Sequence, residues 1–103
     1  MNSESMLITS GHNFEGYRIT KYLGDFSGET LNFTREIRFD EYADMLSSAR
    51  KAAVDTLCSR AKKAGANAII GLSVHYGMFK QGPNVQNLLG VIAGGTAVYI
   101  ERL

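Results

Sequence analysis

The stretch DEYADMLSSARKAAVDTLCSRAKKA, residues 40–64, places Tyr42, Leu46, Ala49, Ala53, Leu57, Ala61 and Ala64 on one stripe at a period of about 3.6 residues. That period belongs to a helix. Asp40 stands where an N-cap would, Gly65 where a C′ residue would, with acids Asp40, Glu41 and Asp44 at the start and bases Arg60, Lys62 and Lys63 at the end. Such a helix is roughly 35 Å long, enough to reach past a small sheet to a neighbouring subunit.

Outward from the helix, the period falls to two on both sides. Across residues 14–23, Tyr17, Ile19 and Leu23 point one way with Arg18 and Thr20 opposite. Gly24-Asp25-Phe26-Ser27-Gly28 reads as a turn, and Leu31, Phe33, Ile37 and Phe39 then alternate with Asn32, Thr34, Glu36 and Arg38. The expectation is a hairpin before the helix. After Gly65, Ile70, Leu72, Val74, Tyr76 and Met78 define one face and Ile69, Ser73, His75 and Phe79 the other, which also carries Gly71 and Gly77. Gln81-Gly82-Pro83-Asn84 is a turn-rich connection, and residues 85–103 form a last strand interrupted at Gly94-Gly95. The order β-β-α-β-β predicts a two-layer α+β fold, one long helix packed on one side of an antiparallel sheet.

Composition bounds the rest. The chain has 103 residues, 45% hydrophobic and 20% charged, which makes residues 1–103 a single domain. With 11 Lys+Arg against 10 Asp+Glu the net charge is +1, so the broad basic footprint of a nucleic-acid binder is missing. A single cysteine, Cys58, allows no intramolecular disulfide and no CxxC metal knuckle, which fits a reducing cytoplasm. Residues 1–10 lack the basic start of a signal peptide, and the longest uncharged stretch, residues 81–100, is too rich in Pro, Asn, Gln and Gly for a membrane span.

Three motifs occur in order along the chain: Gly16-Tyr17-Arg18-Ile19 with Tyr22-Leu23-Gly24 and Gly28; Gly65-Ala66-Asn67-Ala68-Ile69-Ile70-Gly71 after the helix; and Gly95-Thr96-Ala97-Val98 near the end. In these the sequence resembles the YbjQ-like family, also called UPF0145. The resemblance implies a dodecin-like two-layer subunit of a small bacterial cytosolic protein, assembled as a ring-shaped homopentamer, and a family labelled for heavy-metal binding. Gly65, Asn67, Gly71 and Gly95 are its structural motif positions.

A transition or heavy metal ion needs thiolates, imidazoles or carboxylates that converge. The soft-ligand inventory is His75, His12, Cys58 and four methionines. Cys58 falls about 160° around the helix from Tyr42, off the apolar stripe, where it faces a neighbour or solvent. One chain offers no full ligand set, so a metal site requires copies brought together at subunit junctions or a central pore. A rival reading gives the assembly a small organic or anionic ligand held by Tyr17, Arg18 and glycine-rich backbone. A purely structural oligomer is a third. Hydrolysis by His75 with Ser73 is the weakest, because no G-x-S-x-G elbow and no orienting acid at a recognisable spacing is present. Gly90, Gly94 and Gly95 match neither dinucleotide nor P-loop spacing and read as close strand packing or bulges. The chain is expected to be a binding protein rather than an enzyme.

Overall fold

The computed structural model describes residues 6–34, 39–80 and 87–103. The turn expected at residues 81–84, together with Ile37, Glu36 and Arg38 of the expected second strand, lies outside the described residues. The elements run β1 (Leu7–Ile8), β2 (Tyr17–Thr34), α1 (Phe39–Lys63), β3 (Ala68–Lys80) and β4 (Asn87–Arg102). One sheet holds all four strands in the order β1-β3-β4-β2, with α1 packed on one face. The sheet is mixed rather than antiparallel throughout, because β1 pairs parallel to β3, Leu7 opposite Ala68 and Ile8 opposite Ile69.

The expected hairpin is absent; residues 17–34 form a single strand that pairs antiparallel to β4 from Tyr17↔Arg102 to Thr34↔Asn87. Its glycines serve other purposes than a turn. Register shifts between Ile19 and Lys21 and between Tyr22 and Gly24 mark bulges. Each bulge reverses which face the following residues take. The first shift therefore puts Leu23 under the helix, on the face opposite Tyr17 and Ile19, and the second restores the original alternation, so that even-numbered Phe26 packs there as well. At Gly28 the strand backbone lies directly against the helix backbone. A Cβ there would overlap the Ala53 carbonyl oxygen and lie 2.5 Å from the Leu57 nitrogen.

The helix stripe is buried at Ala49, Ala53, Leu57 and Ala61, with Met45, Leu46 and Val54 partly buried beside it. Ala64 is exposed, and Asp40 lies inside the first turn rather than capping it. The end of the helix is closed by Gly65, whose φ of 99° suits a residue without a side chain. Its N–H donates to the Lys62 carbonyl at 3.0 Å, and the Ala66 N–H donates to the Ala61 carbonyl at 3.1 Å. These two bonds make a Schellman closure, which satisfies carbonyls that a helix end leaves open.

Asn67 then starts the sheet before β3 formally begins. Its backbone N–H donates to Val98 O at 3.1 Å. Its carboxamide takes both bonds of Ile100, Nδ2 donating to the carbonyl at 2.9 Å and Oδ1 accepting from the N–H at 2.8 Å. A side-chain amide thus extends the ladder by one rung, and an apolar substitute would leave a part-buried pair of backbone groups unmet.

In β3 a register shift between Ile70 and Ser73 surrounds Gly71, whose φ is 64°. This bulge corrects the expected faces: Ile70 packs with Ala68 on the face away from the helix, while Leu72 and Val74 pack under it. Gly95 of β4 makes room for the bulge, since a Cβ there would lie 2.6 Å from Ile69 Cγ2 and 3.1 Å from Ile70 O. Residues before β2 close the bulged edge, with Gly71 N–H donating to Gly11 O at 2.8 Å and Leu72 N–H to Thr9 O at 3.1 Å.

Candidate functional site on the open sheet face

Among the described residues, the face away from α1 is covered at one end. There Phe14, Tyr17 and Ile19 pack over Ala68, Ile70, Val98 and Ile100. At the other end the strands carry Ser73, His75 and Gly77 from β3, Ile92 and Gly90 from β4, and Glu29 and Leu31 from β2. Cross-strand pairs set their positions: His75 opposite Ile92, Ile92 opposite Glu29, Gly77 opposite Gly90, and Gly90 opposite Leu31. Two glycines facing each other leave only backbone, so a hollow of about 350 Å³ opens among Glu29, Leu31, His75 and Ile92. Leu31 and Ile92 are 68% and 51% exposed. The hollow thus sets exposed apolar side chains beside a candidate ligand, His75.

His75 is exposed here, two residues along the same face from Ser73. Among the described residues neither has a carboxylate partner that would orient a hydrolytic pair, and Asp25 of the same face is engaged by Thr96, whose hydroxyl donates to its Oδ1 at 2.7 Å. His12 is exposed in the segment before β2. Cys58 is elsewhere, which corrects the expectation that it faces a neighbour or solvent. It is 2% exposed in the core with Leu57 and Ala61, because the sheet wraps more of the helix than the stripe alone suggests.

Burial, and then the nearby Asp55 carboxylate, push the Cys58 thiol up from its ordinary value. The folded protein therefore favours the neutral thiol, the poorer nucleophile and metal ligand. Because the folded thiol holds its proton to higher pH than the unfolded one, it leaves stability intact below the ordinary thiol range and erodes it as the pH climbs through that range. Native Cys58 is expected to react with an aromatic disulfide reagent at least about a hundredfold more slowly than in denaturant, its rate following the opening of the core. Rapid native labelling would place the thiol at the surface instead.

The two residues read as alternative ligand contacts already have partners. Tyr17 meets Phe14 edge to face, centroids 6.4 Å apart, and lies under the Arg102 guanidinium at 5.8 Å. Arg18 pairs with Glu101 at 3.6 Å. Sequence reasoning missed Ile92 and Leu31 as neighbours of His75, since only the pairing register brings them together. The Gly77 and Gly90 positions were its only signal.

Among the described residues no group of three or more His, Cys, Asp or Glu side chains converges. No helix among them is long and apolar enough to cross a membrane.

Fold and site together define a two-layer α+β subunit with one helix, a four-stranded mixed sheet and an open face. A family model described as "Putative heavy-metal-binding" matches residues 6–101. Relatives include UPF0145 proteins of Carboxydothermus hydrogenoformans, 37% identical over 93% of this chain and 97% of that one, and of Acetivibrio thermocellus, 36% identical over 93% and 100%. The chain belongs to this UPF0145, YbjQ-like family. A Pediococcus pentosaceus protein of unknown function, of the DUF74 family, has the same fold: TM-score 0.75, 21% identity, 95% of this chain and 100% of that one. These relatives carry no enzymatic name.

Proposed function

We propose that the chain is a non-enzymatic cytoplasmic subunit of a ring-shaped homopentamer that binds a transition or heavy metal ion where copies meet, through His75 with His12 as the further imidazole. The observation that carries this reading is the exposed position of His75 on the open face, beside apolar Ile92 and Leu31 that a neighbour would cover. Among the described residues of one chain too few ligands converge, so in this reading the ion is shared between copies, each supplying its imidazole.

Shape supports the ring. The radius of gyration is 16.0 Å, with extents of 55 × 24 × 22 Å, against about 13 Å for a compact domain of this length. Closed rings need two different surfaces that fit each other. Two are available among the described residues: the open face with Leu31 and Ile92, and the outer edge of β3 over residues 73–80, which has no strand partner and carries exposed Tyr76 and Met78. The hollow itself favours a second reading, a small apolar ligand next to His75.

Light scattering and elemental analysis of tag-free protein test both parts. The expected result is a mass five times the 11.3 kDa subunit and bound metal that His75→Ala removes while the ring persists. A monomer overturns the assembly. Metal retained by the His75→Ala, His12→Ala double variant overturns the ligand set, and a metal-free ring leaves the second reading in its place.

A further inference from the structure

The outer edge of β2 carries a contact that metal binding does not use. Which way its backbone points follows from β4. The Val98 carbonyl accepts from Asn67, and Ile100 exchanges both bonds with the Asn67 carboxamide, so these residues turn their backbone polar groups toward β3. Against β2, β4 pairs without a skipped residue of its own, so Gly94, at the same parity, does likewise. Its partner on the other side is Ser27, and such a pair exchanges no backbone bonds. Ser27 therefore aims its N–H and carbonyl outward, away from the sheet. An edge strand in that state is a template for another strand.

Arg60 occupies that place. Its Nη1 donates to Ser27 O at 2.8 Å and to the Glu29 carboxylate at 2.9 and 3.2 Å, while the Ser27 hydroxyl donates to Glu29 Oε2 at 2.8 Å. The Ser27 hydroxyl and then the Arg60 guanidinium hold the Glu29 carboxyl below its ordinary value, so Glu29 is a charged anchor at neutral pH. As an ion pair, the exposed Arg60–Glu29 contact contributes little to stability. Its position on an outward carbonyl gives it a different consequence.

We infer that Arg60, anchored on Glu29, seals the outer edge of β2 by occupying the Ser27 carbonyl, and so bars a second copy of this chain from adding a strand there. The edge of β3 stays available, and assembly stops at a closed species instead of extending through β2. An incoming strand must displace a charge-assisted hydrogen bond and bury a guanidinium against its own N–H groups.

The test compares wild type with Arg60→Ala, Arg60→Lys and Arg60→Gln by sedimentation velocity over a range of protein concentrations. Arg60→Ala is expected to form species larger than the wild-type assembly, with an onset concentration about tenfold lower, the equivalent of one hydrogen bond to a charge that no longer has to be broken. Arg60→Lys, which keeps a cation able to reach the carbonyl, is expected to stay near wild type. Hydrogen exchange at the Ser27 amide should slow in the larger species, because that outward N–H gains an acceptor. Identical size distributions for Arg60→Ala and wild type overturn the inference, as do larger species whose Ser27 amide exchanges as fast as before. Should Arg60→Ala fail to fold, Arg60→Gln, with its stem and helix propensity retained, decides by the same two readouts. Metal content plays no part in either, so the seal and the metal reading fail separately.

Discussion

Replacing Gly28 by alanine is expected to lower stability by about 3 kcal/mol, and valine by more, measured as a fall in the urea midpoint at unchanged slope. The missing Cβ would overlap the Ala53 carbonyl oxygen and lie 2.5 Å from Leu57 N and 3.1 Å from Leu57 Cα. All three are helix backbone, which cannot rotate aside as a side chain can. The helix must lift, and lifting it loosens Ala49, Ala53, Leu57 and Ala61 together. Against a total of roughly 5–15 kcal/mol for a domain, that is a large share. A loss under about 1 kcal/mol would show that the helix is not seated on this glycine.

The second large effect comes from the same contact by the opposite cause. Leu57 is 0% exposed and one of the largest fully buried side chains, so Leu57→Ala is expected to cost about 3–4 kcal/mol through lost burial and the cavity left behind. Trimming Leu57 does not make room for a side chain at position 28, because the overlap there is with its main-chain atoms rather than its isobutyl group. The double variant Gly28→Ala, Leu57→Ala should therefore lose at least the sum of the two single losses. Rescue in the double variant would mean that the clash is with the side chain.

The helix was legible because every local signal agreed over residues 40–65: stripe, charge bias and terminal glycine. Its width was not. Measured from half-buried Tyr42, Cys58 lies far around the helix, yet it is one residue, about 100°, from Leu57 at the centre of the buried arc. Strands β2, β3 and β4 all pack against the helix, and a broad sheet buries a broad arc.

The strands were harder because glycine has several uses that sequence alone does not separate. Gly24 follows a bulge, Gly28 admits a helix, and Gly71 sits in another bulge; each was open to being read as a turn or a bare strand position. A bulge also reverses every later side chain, so a correct alternation across residues 68–80 still put Ile70 on the wrong side relative to Leu72. The site suffered most. His75 could be singled out by its chemistry, but its neighbours come from strands more than a dozen residues away and depend on register. Ligands contributed by other copies leave no spacing signature in one chain.

The single long strand also orders events in time. Every residue of β2 that pairs with another strand pairs with β4, so Tyr17 waits for Arg102 and Phe26 for Gly95. During synthesis, at about 5–20 residues per second, β2 and the helix are made seconds before the strand that completes them. Pairings so distant along the chain close slowly. Until residues 87–102 emerge, β2 has two unpaired edges rather than one, and the nascent chain passes through an interval of greatest exposure to chaperones and to its own copies.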